Sequence, residues 1–360
     1  MSAPYLNLSL ISFCFSCALP KLWSCYMYTK LRSQVQRTTR GGREKWWLEE
    51  LAARNVSAIW LRHFYPHNYE NTAFEAYVEM YVLTGEQRYL DAVLGGWEMT
   101  MEHFIHVGGA MALNQGSPKP PLAPGTYAPG SYHLNEYGWW PPTGELCGSV
   151  FWAKFNQRLH RLFPEEEKYV TEVERSIYNV GVAAQGIDLN GTRGGGIRYF
   201  AVMHGTKAAP DGAQATCCQG QGSRLFGGLP EYVYSTRTAE NGSVVLYINL
   251  FAAASIVVDV NGVAVNVTTN TEFPFGTNVS HTITLVDDPA VGEAEALPFG
   301  ALTLKLRGPS WAVGNYSANT SSGAVAEVAP GSFSALSAAW TSGDTVSYVL
   351  PVGFRLTKYP

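Results

Sequence analysis

The sequence of 360 residues predicts an α+β multidomain protein in which helical hairpins precede a β-sandwich. In the first half of the chain, apolar residues recur at the three-and-four spacing of amphipathic helices. In the second half, short alternating runs are separated by turn residues, which is typical of a sandwich. We therefore predict a helical domain over residues 46–235 and a β-sandwich over residues 236–360. Residues 1–45 match neither pattern.

The helical half is predicted to consist of hairpins, the unit from which bundles and α/α toroids are built. One helix should end at Thr84-Gly85, because glycine tolerates the left-handed cap, and the next should start near Glu86. A second pair begins with a helix over residues 150–162. Pro164 is expected to open its partner helix, with Glu165 to Glu167 at the positive end of the helix dipole.

The second half contains several predicted strands. The clearest is a hairpin in which Asn261-Gly262 forms a type I′ turn, since both turn positions need a positive φ. Further strands are predicted over residues 243–250, 281–286, 301–307 and 345–350.

Composition excludes several classes of protein. Apolar residues make up 46% of the chain, which excludes a mainly disordered protein. The net charge is −4 and no Lys/Arg cluster occurs, so we expect no nucleic-acid partner. No apolar stretch is long enough to predict a membrane span. Aromatic residues reach 13%, which fits either a protein that stacks on sugar rings or one with a large core.

Two features suggest the secretory pathway. Residues 5–19 are mostly apolar and end near small residues, like the core of a signal peptide. Asn-x-Ser/Thr sequons are more frequent than the roughly two or three expected by chance. They begin at Asn7, Asn55, Asn190, Asn241, Asn266, Asn278, Asn315 and Asn319. We expect a secreted glycoprotein, although a Ser/Thr/Asn-rich β domain would also collect sequons.

The residues with the most chemical potential are a glutamate and three cysteines. Glu145 and Cys147 are two positions apart at the start of a predicted helix, and Cys217-Cys218 lie in a predicted Gly/Gln-rich loop. Brought together, three thiolates and one carboxylate form a tetrahedral ligand set for zinc. The alternatives are buried inert thiols, a thiol-redox pair, and a carboxylate that only interacts with a helix dipole.

Short motifs in a fixed order give the chain a family resemblance. They are Tyr81-Val-Leu-Thr-Gly85, Arg88-Tyr-Leu-Asp91, Glu145-Leu-Cys147, Ser176-Ile-Tyr-Asn179, Cys217-Cys218-Gln-Gly220, Leu246-Tyr-Ile-Asn-Leu250, Leu306-Arg-Gly-Pro-Ser-Trp311, and Trp340 with Gly343-Asp-Thr-Val346. From about residue 60 onward, the chain resembles glycoside hydrolase family 127, the β-L-arabinofuranosidase-like proteins. The Glu-x-Cys and Cys-Cys motifs are the most specific of the set.

The resemblance implies a partial α/α toroid followed by a β-sandwich, and a zinc ion (Zn²⁺) as cofactor. The zinc ligands would be Glu145, Cys147, Cys217 and Cys218, and Cys217 would also be the catalytic nucleophile. The helical region has room for about half of the helices of a full toroid at typical helix and loop lengths, which suggests an N-terminally truncated member.

The resemblance also implies a function and further site residues. The expected activity is a retaining glycosidase acting on β-L-arabinofuranosides, with an arabinofuranose-containing glycan as substrate. Glu136 is the candidate general acid/base, and Tyr199 and His67 are candidate sugar contacts. The alternative is a catalytically inactive protein that keeps the zinc and binds carbohydrate or serves a structural role.

Overall fold

The computed structural model contains helices with a two-stranded sheet among them, followed by two larger β-sheets, which confirms the mixed helical and sheet character predicted from the sequence. The structure describes residues 43–54, 68–103, 105, 108–109, 143–186, 196–198, 200–202, 217–286, 296–354 and 356. These residues divide into two compact units. Residues 43–54 and 73–99 belong to one unit, and the remaining described residues belong to the other. The predicted domain boundaries themselves stay predictions.

The described helices are α1 (Arg43–Ala52), α2 (Asn68–Thr84), α3 (Gln87–His103), α4 (Leu146–Leu162), α5 (Glu167–Arg175), α6 (Cys217–Gly227) and α7 (Pro230–Val233). A π-helical segment, Ser176–Val182, continues α5. No helix in the described part of the chain is long and apolar enough to cross a membrane.

The first predicted hairpin is confirmed in α2 and α3. Helix α2 ends where Gly85 adopts a φ of +69°, and the Gly85 amide donates to the carbonyl oxygen of Tyr81 at 2.8 Å. The ring of Tyr77 on α2 stacks on that of Tyr89 on α3, with centroids 6.0 Å apart. The glycine cap and the apolar spacing are local signals in the sequence, and they predicted where α2 ends and where α3 begins.

The second predicted pair is correct in its first helix and wrong at the start of the second. Pro164 does not open a helix. It lies in a turn closed by the Glu166 amide donating to the Phe163 carbonyl oxygen at 3.1 Å, and α5 begins only at Glu167. A proline fixed near φ −65° suits the second position of such a turn equally well. Only Glu167 of the three glutamates therefore lies in the first helical turn.

The described strands are β1 (Thr143–Glu145), β2 (Phe200–Val202), β3 (Tyr234–Thr238), β4 (Val244–Ile248), β5 (Ala254–Val260), β6 (Val263–Thr271), β7 (Asn278–Val286), β8 (Leu302–Gly308), β9 (Tyr316–Thr320), β10 (Val325–Val328), β11 (Ser332–Ser337) and β12 (Thr345–Val349). Strands β1 and β2 pair with each other. The order in the six-stranded sheet is β10-β9-β12-β7-β6-β5, and in the four-stranded sheet it is β11-β8-β4-β3. All pairs are antiparallel except β4 with β8.

The two larger sheets form a sandwich with the four-stranded sheet next to the helices. Along β4, Leu246 and Ile248 point into the core between the sheets, whereas Tyr247 points to the helices and packs in the same cluster as Val150 of α4. The β5–β6 hairpin has the predicted turn, with φ of +56° at Asn261 and +85° at Gly262. The outer face of the six-stranded sheet is turned away from α4 and α5.

A buried arginine joins α5 to the sandwich. Arg307 of β8 is fully buried, and its Nε lies 2.7 Å from Oε1 of Glu167. Its two terminal nitrogens contact the two carboxylate oxygens of Glu174 at 2.9 and 3.1 Å. Nearby, Lys305 pairs with the half-exposed Glu165 at 2.8 Å. Charged residues are rarely fully buried unless they are paired, so this cluster fixes how α5 lies on the sheet.

Candidate metal centre

Glu145 and Cys147 are placed at the junction between a short strand and a helix. Strand β1 pairs with β2 and ends at Glu145, which has the extended φ and ψ of −73° and 129° that precede a helix. Helix α4 then begins at Leu146. The Glu145 side chain makes no capping hydrogen bond, and both Glu145 and Cys147 are buried. The turn from strand to helix brings the ligand atoms of the two side chains close together.

Cys217 and Cys218 lie at the start of a helix rather than in the predicted loop. Helix α6 begins at Cys217, so the glycines that follow are helical residues. Successive side chains on a helix point about 100° apart, since a turn holds 3.6 residues. Cys218 is accordingly buried, whereas Cys217 is exposed. An irregular loop is not needed for both sulfurs to reach one centre.

The structure brings the four side chains together. One ligand atom from each of Glu145, Cys147, Cys217 and Cys218 lies within 4.8 Å of the others. The Cys218 sulfur is 3.1 Å from the Cys147 sulfur and 3.7 Å from Oε1 of Glu145. Sulfur ligands of one tetrahedral zinc ion lie about 3.8 Å apart at ordinary bond lengths. The residues therefore fit a zinc ion in chemistry and lie close enough together to share one, and the sulfurs of Cys147 and Cys218 would move apart by about 0.7 Å to bind it.

The cysteines of the cluster are not joined by a disulfide. All three in the described part of the chain are free thiols. The 3.1 Å between the sulfurs of Cys147 and Cys218 is well beyond the S–S bond length of about 2.05 Å. The geometry thus favours a set of ligands over a disulfide pair.

Hydrogen bonding favours negative charge on the sulfur of Cys147, and helix dipoles favour it in the cluster as a whole. The Cys218 thiol donates to the Cys147 sulfur, which lowers the pKa of Cys147 and raises that of Cys218. Helices α4 and α6 both begin at the cluster, and a helix N-terminus carries a partial positive charge. A cation that binds here would displace the thiol proton of Cys218, as metal binding to thiols generally does.

Gly222 brings the two halves of the cluster together, and we did not identify it from the sequence. A Cβ at Gly222 would lie 2.8 Å from a methyl carbon of Ile197 and 2.9 Å from one of Leu146. The hydrogen in that position lets α6 approach the start of α4. The available signal was its spacing, because Gly222 follows Cys218 by four residues and shares its face of the helix.

Three of the predicted site residues are not among those that the structure describes. Glu136, Tyr199 and His67 lie outside the described residues. Their roles as general acid/base and sugar contacts stay predictions, as do the catalytic and ligand roles of the four clustered residues.

Comparison with solved structures identifies the fold. A β-L-arabinofuranosidase of family GH127 from Geobacillus stearothermophilus aligns with 80% of this chain at 17% identity and a TM-score of 0.61. A GH127 β-arabinofuranosidase aligns with 78% at 18% identity, also at 0.61. A third structure, described as a glycoside hydrolase, aligns with 95% at 17% identity and 0.59.

The alignments cover only part of those proteins. The chain spans 42% of the length of the first two and 58% of the third. No curated protein matches the chain. Residues 245–352 match the family description "Beta-L-arabinofuranosidase, GH127 middle domain". The resemblance to glycoside hydrolase family 127 is therefore confirmed, in the match of residues 245–352 to its middle-domain model and in the fold shared with the solved structures.

Proposed function

We propose that the protein is a retaining glycoside hydrolase with a zinc-bound cysteine nucleophile, acting on β-L-arabinofuranosides. One observation supports this above all: four potential zinc ligands converge, three of them are buried, and the fourth, Cys217, is exposed. A buried ligand can only hold an ion, whereas an exposed sulfur can also meet a substrate.

The roles of the four residues follow from their exposure. Glu145, Cys147 and Cys218 would hold the ion from the protein side, and Cys217 would complete the set at the surface. When bound, zinc keeps its cysteine ligands deprotonated. A thiolate is the reactive form of cysteine, so Cys217 would be ready to attack at neutral pH.

The proposed reaction has two displacements. The Cys217 sulfur attacks the anomeric carbon, and the glycosidic C–O bond breaks as Glu136 donates a proton to the leaving oxygen. Glu136 then takes a proton from water, whose oxygen displaces the sulfur from the same carbon. Each step inverts the carbon, so the released sugar keeps its original configuration.

The substrate class is proposed from the similar structures. Two of them are described as arabinofuranosidases, and one of these specifically as a β-L-arabinofuranosidase. We assign Tyr199 and His67 as sugar contacts and the helical region as part of an α/α toroid. With these assignments, the proposed partner of the protein is a carbohydrate.

The first test is metal content. The full chain, purified without added metal, should contain about one zinc ion, as expected for a complete set of four ligands. Cys218→Ser should lose most of it, whereas Ser223→Ala, on the exposed side of the same helix, should keep it. Equal zinc in both variants, or no zinc in the unaltered protein, would remove the metal from the proposal.

The second test is turnover. The unaltered protein should release the aglycone from an aryl β-L-arabinofuranoside, and Cys217→Ser should not. Equal rates for the two proteins would exclude Cys217 as the nucleophile. Sugar affinity and bound zinc without turnover would favour the alternative, an inactive zinc-containing carbohydrate-binding or structural protein.

A further inference from the structure

The outer face of the six-stranded sheet collects several of the sequons. Asn278, Asn315 and Asn319 are all exposed and line one open groove of about 1010 Å³ on this face. The rest of its lining mixes polar residues, such as Asn270 and Ser347, with apolar and aromatic ones, such as Val349 and Tyr348. We propose that Asn278, Asn315 and Asn319 are N-glycosylated and that their glycans cover this side of the sandwich.

The local geometry of the three sequons fits the modification. In each, the middle residue is buried: Val279, Tyr316 and Thr320 are 2%, 6% and 8% exposed. The asparagine and the hydroxyl residue on either side of it therefore share the solvent-facing side, because neighbouring strand residues alternate between faces. A glycan attached to such an asparagine extends into solvent without disturbing the core.

All three sites follow the alternation of their strands. Asn278 lies within β7 and Asn319 within β9, where outward Asn and Ser residues would form sequons by composition. Asn315 directly precedes β9 and continues its alternation of exposed and buried residues. Beyond composition, the three asparagines share one groove that is open to solvent.

Two other sequons lie in the described residues, and that of Asn266 is the less suited of the two. Asn266 is half-buried, its Nδ2 donates to Thr268 at 3.3 Å, and its Oδ1 is buried and accepts no hydrogen bond from any described residue. Asn241 is exposed, but its Oδ1 accepts from both the amide and the hydroxyl of Ser243 in a turn. A glycan on Asn266 would have to disturb a packed amide.

The modification requires a donor from the secretory pathway, a polyprenyl-diphosphate oligosaccharide. The side-chain amide nitrogen attacks C1 of the first sugar, a C–N bond forms, and the bond from C1 to the phosphate oxygen breaks. The nitrogen loses one proton and the polyprenyl diphosphate leaves. The proposal does not depend on glycosidase activity, since this face lies on the far side of the sandwich from the helices that hold the metal cluster.

The experiment is site mapping on the full chain, expressed with its own N-terminus in cultured insect cells. Enzymatic release of N-glycans in ¹⁸O-water converts each occupied asparagine to labelled aspartate, which peptide mass spectrometry locates. We expect label at Asn278, Asn315 and Asn319. An unlabelled chain, or label only at Asn266, would overturn the proposal.

Variants separate glycosylation from an effect on folding. Asn278→Gln and Ser280→Ala should each lower the intact mass by one glycan, because each destroys the same sequon by a different change. Asn270→Gln is the matched control, since Asn270 is exposed on the same face outside any sequon. Its mass should change only by the substitution itself. Loss of a glycan from Asn270→Gln, or unchanged glycosylation in Ser280→Ala, would refute the assignment.

Discussion

The sharpest structural test of the metal centre is a pair of glycine substitutions in α6. Gly222→Ala places a methyl group 2.8 Å from Ile197 and 2.9 Å from Leu146, where real Cβ atoms do not occur. Gly220→Ala, half a turn away on the exposed side, meets nothing within 4 Å. The two variants share the helix and the chemical change, so they differ only in whether α6 can stay close to α4.

The expected magnitudes follow from two opposing effects. Alanine favours a helix interior over glycine by about 1 kcal/mol, which applies to both variants. Overpacking a well-filled site costs about 1–3 kcal/mol, which applies only to Gly222→Ala. Gly220→Ala should therefore raise the free energy of unfolding by up to about 1 kcal/mol. The free energy of unfolding of Gly222→Ala should be lower than that of Gly220→Ala by about 1–3 kcal/mol.

The assay is urea unfolding of both variants, together with their zinc content. A shifted α6 moves Cys217 and Cys218 away from Glu145, so Gly222→Ala should also hold less zinc than Gly220→Ala. If the two variants unfold at the same urea concentration and hold equal zinc, the close approach of α6 does not form the site. That result would refute the packing argument.

Three further predictions concern the sandwich. Arg307→Met leaves two buried carboxylates without a cation and should lower the free energy of unfolding by about 3–5 kcal/mol. Lys305→Met breaks a pair with a half-exposed carboxylate and should lower it by less than about 1 kcal/mol. Denaturant unfolding of the two variants measures the difference. Burial lowers the pKa of His281 to about 4, so the unfolded state, with a pKa near 6.5, binds more protons between these values. Stability should therefore fall by up to about 3 kcal/mol as the pH drops from about 6.5 to 4, and a His281→Gln variant with an equally steep fall would contradict this. Gly262→Ala should destabilise the protein by about 1–2 kcal/mol through its φ of +85° alone, because a Cβ there meets no atom within 4 Å; thermal unfolding with no loss would contradict the strain.

Features with local causes were predictable from the sequence. The end of α2 at Gly85 and the turn at Asn261-Gly262 both depend on residues that tolerate a positive φ, and both occur as predicted. The grouping of the metal cluster was expected from the family resemblance, whereas the residues alone left inert thiols, a redox pair and a helix-dipole carboxylate open. Pro164 was misassigned because a fixed φ near −65° suits a turn as well as a helix start.

Features set by distant contacts were not predictable. Arg307 and Glu167 are separated by 140 residues, and nothing near either residue shows that they meet inside the protein. A single arginine within a predicted strand would be expected at the surface. Gly222 is similar, since its importance depends on Leu146 and Ile197, which reach it only after α6 has docked.

Charge balance gives a reason why Cys217, rather than another ligand, should be reactive. Three thiolates and a carboxylate around one zinc ion leave a formal charge of −2. The N-termini of α4 and α6 offset it by roughly half a charge each. The excess is tolerated at low cost only where water or substrate can reach it, and Cys217 is the exposed member of the set. Cys147 and Cys218 are buried, so in the proposed zinc site the sulfur that water or a substrate could reach would be that of Cys217.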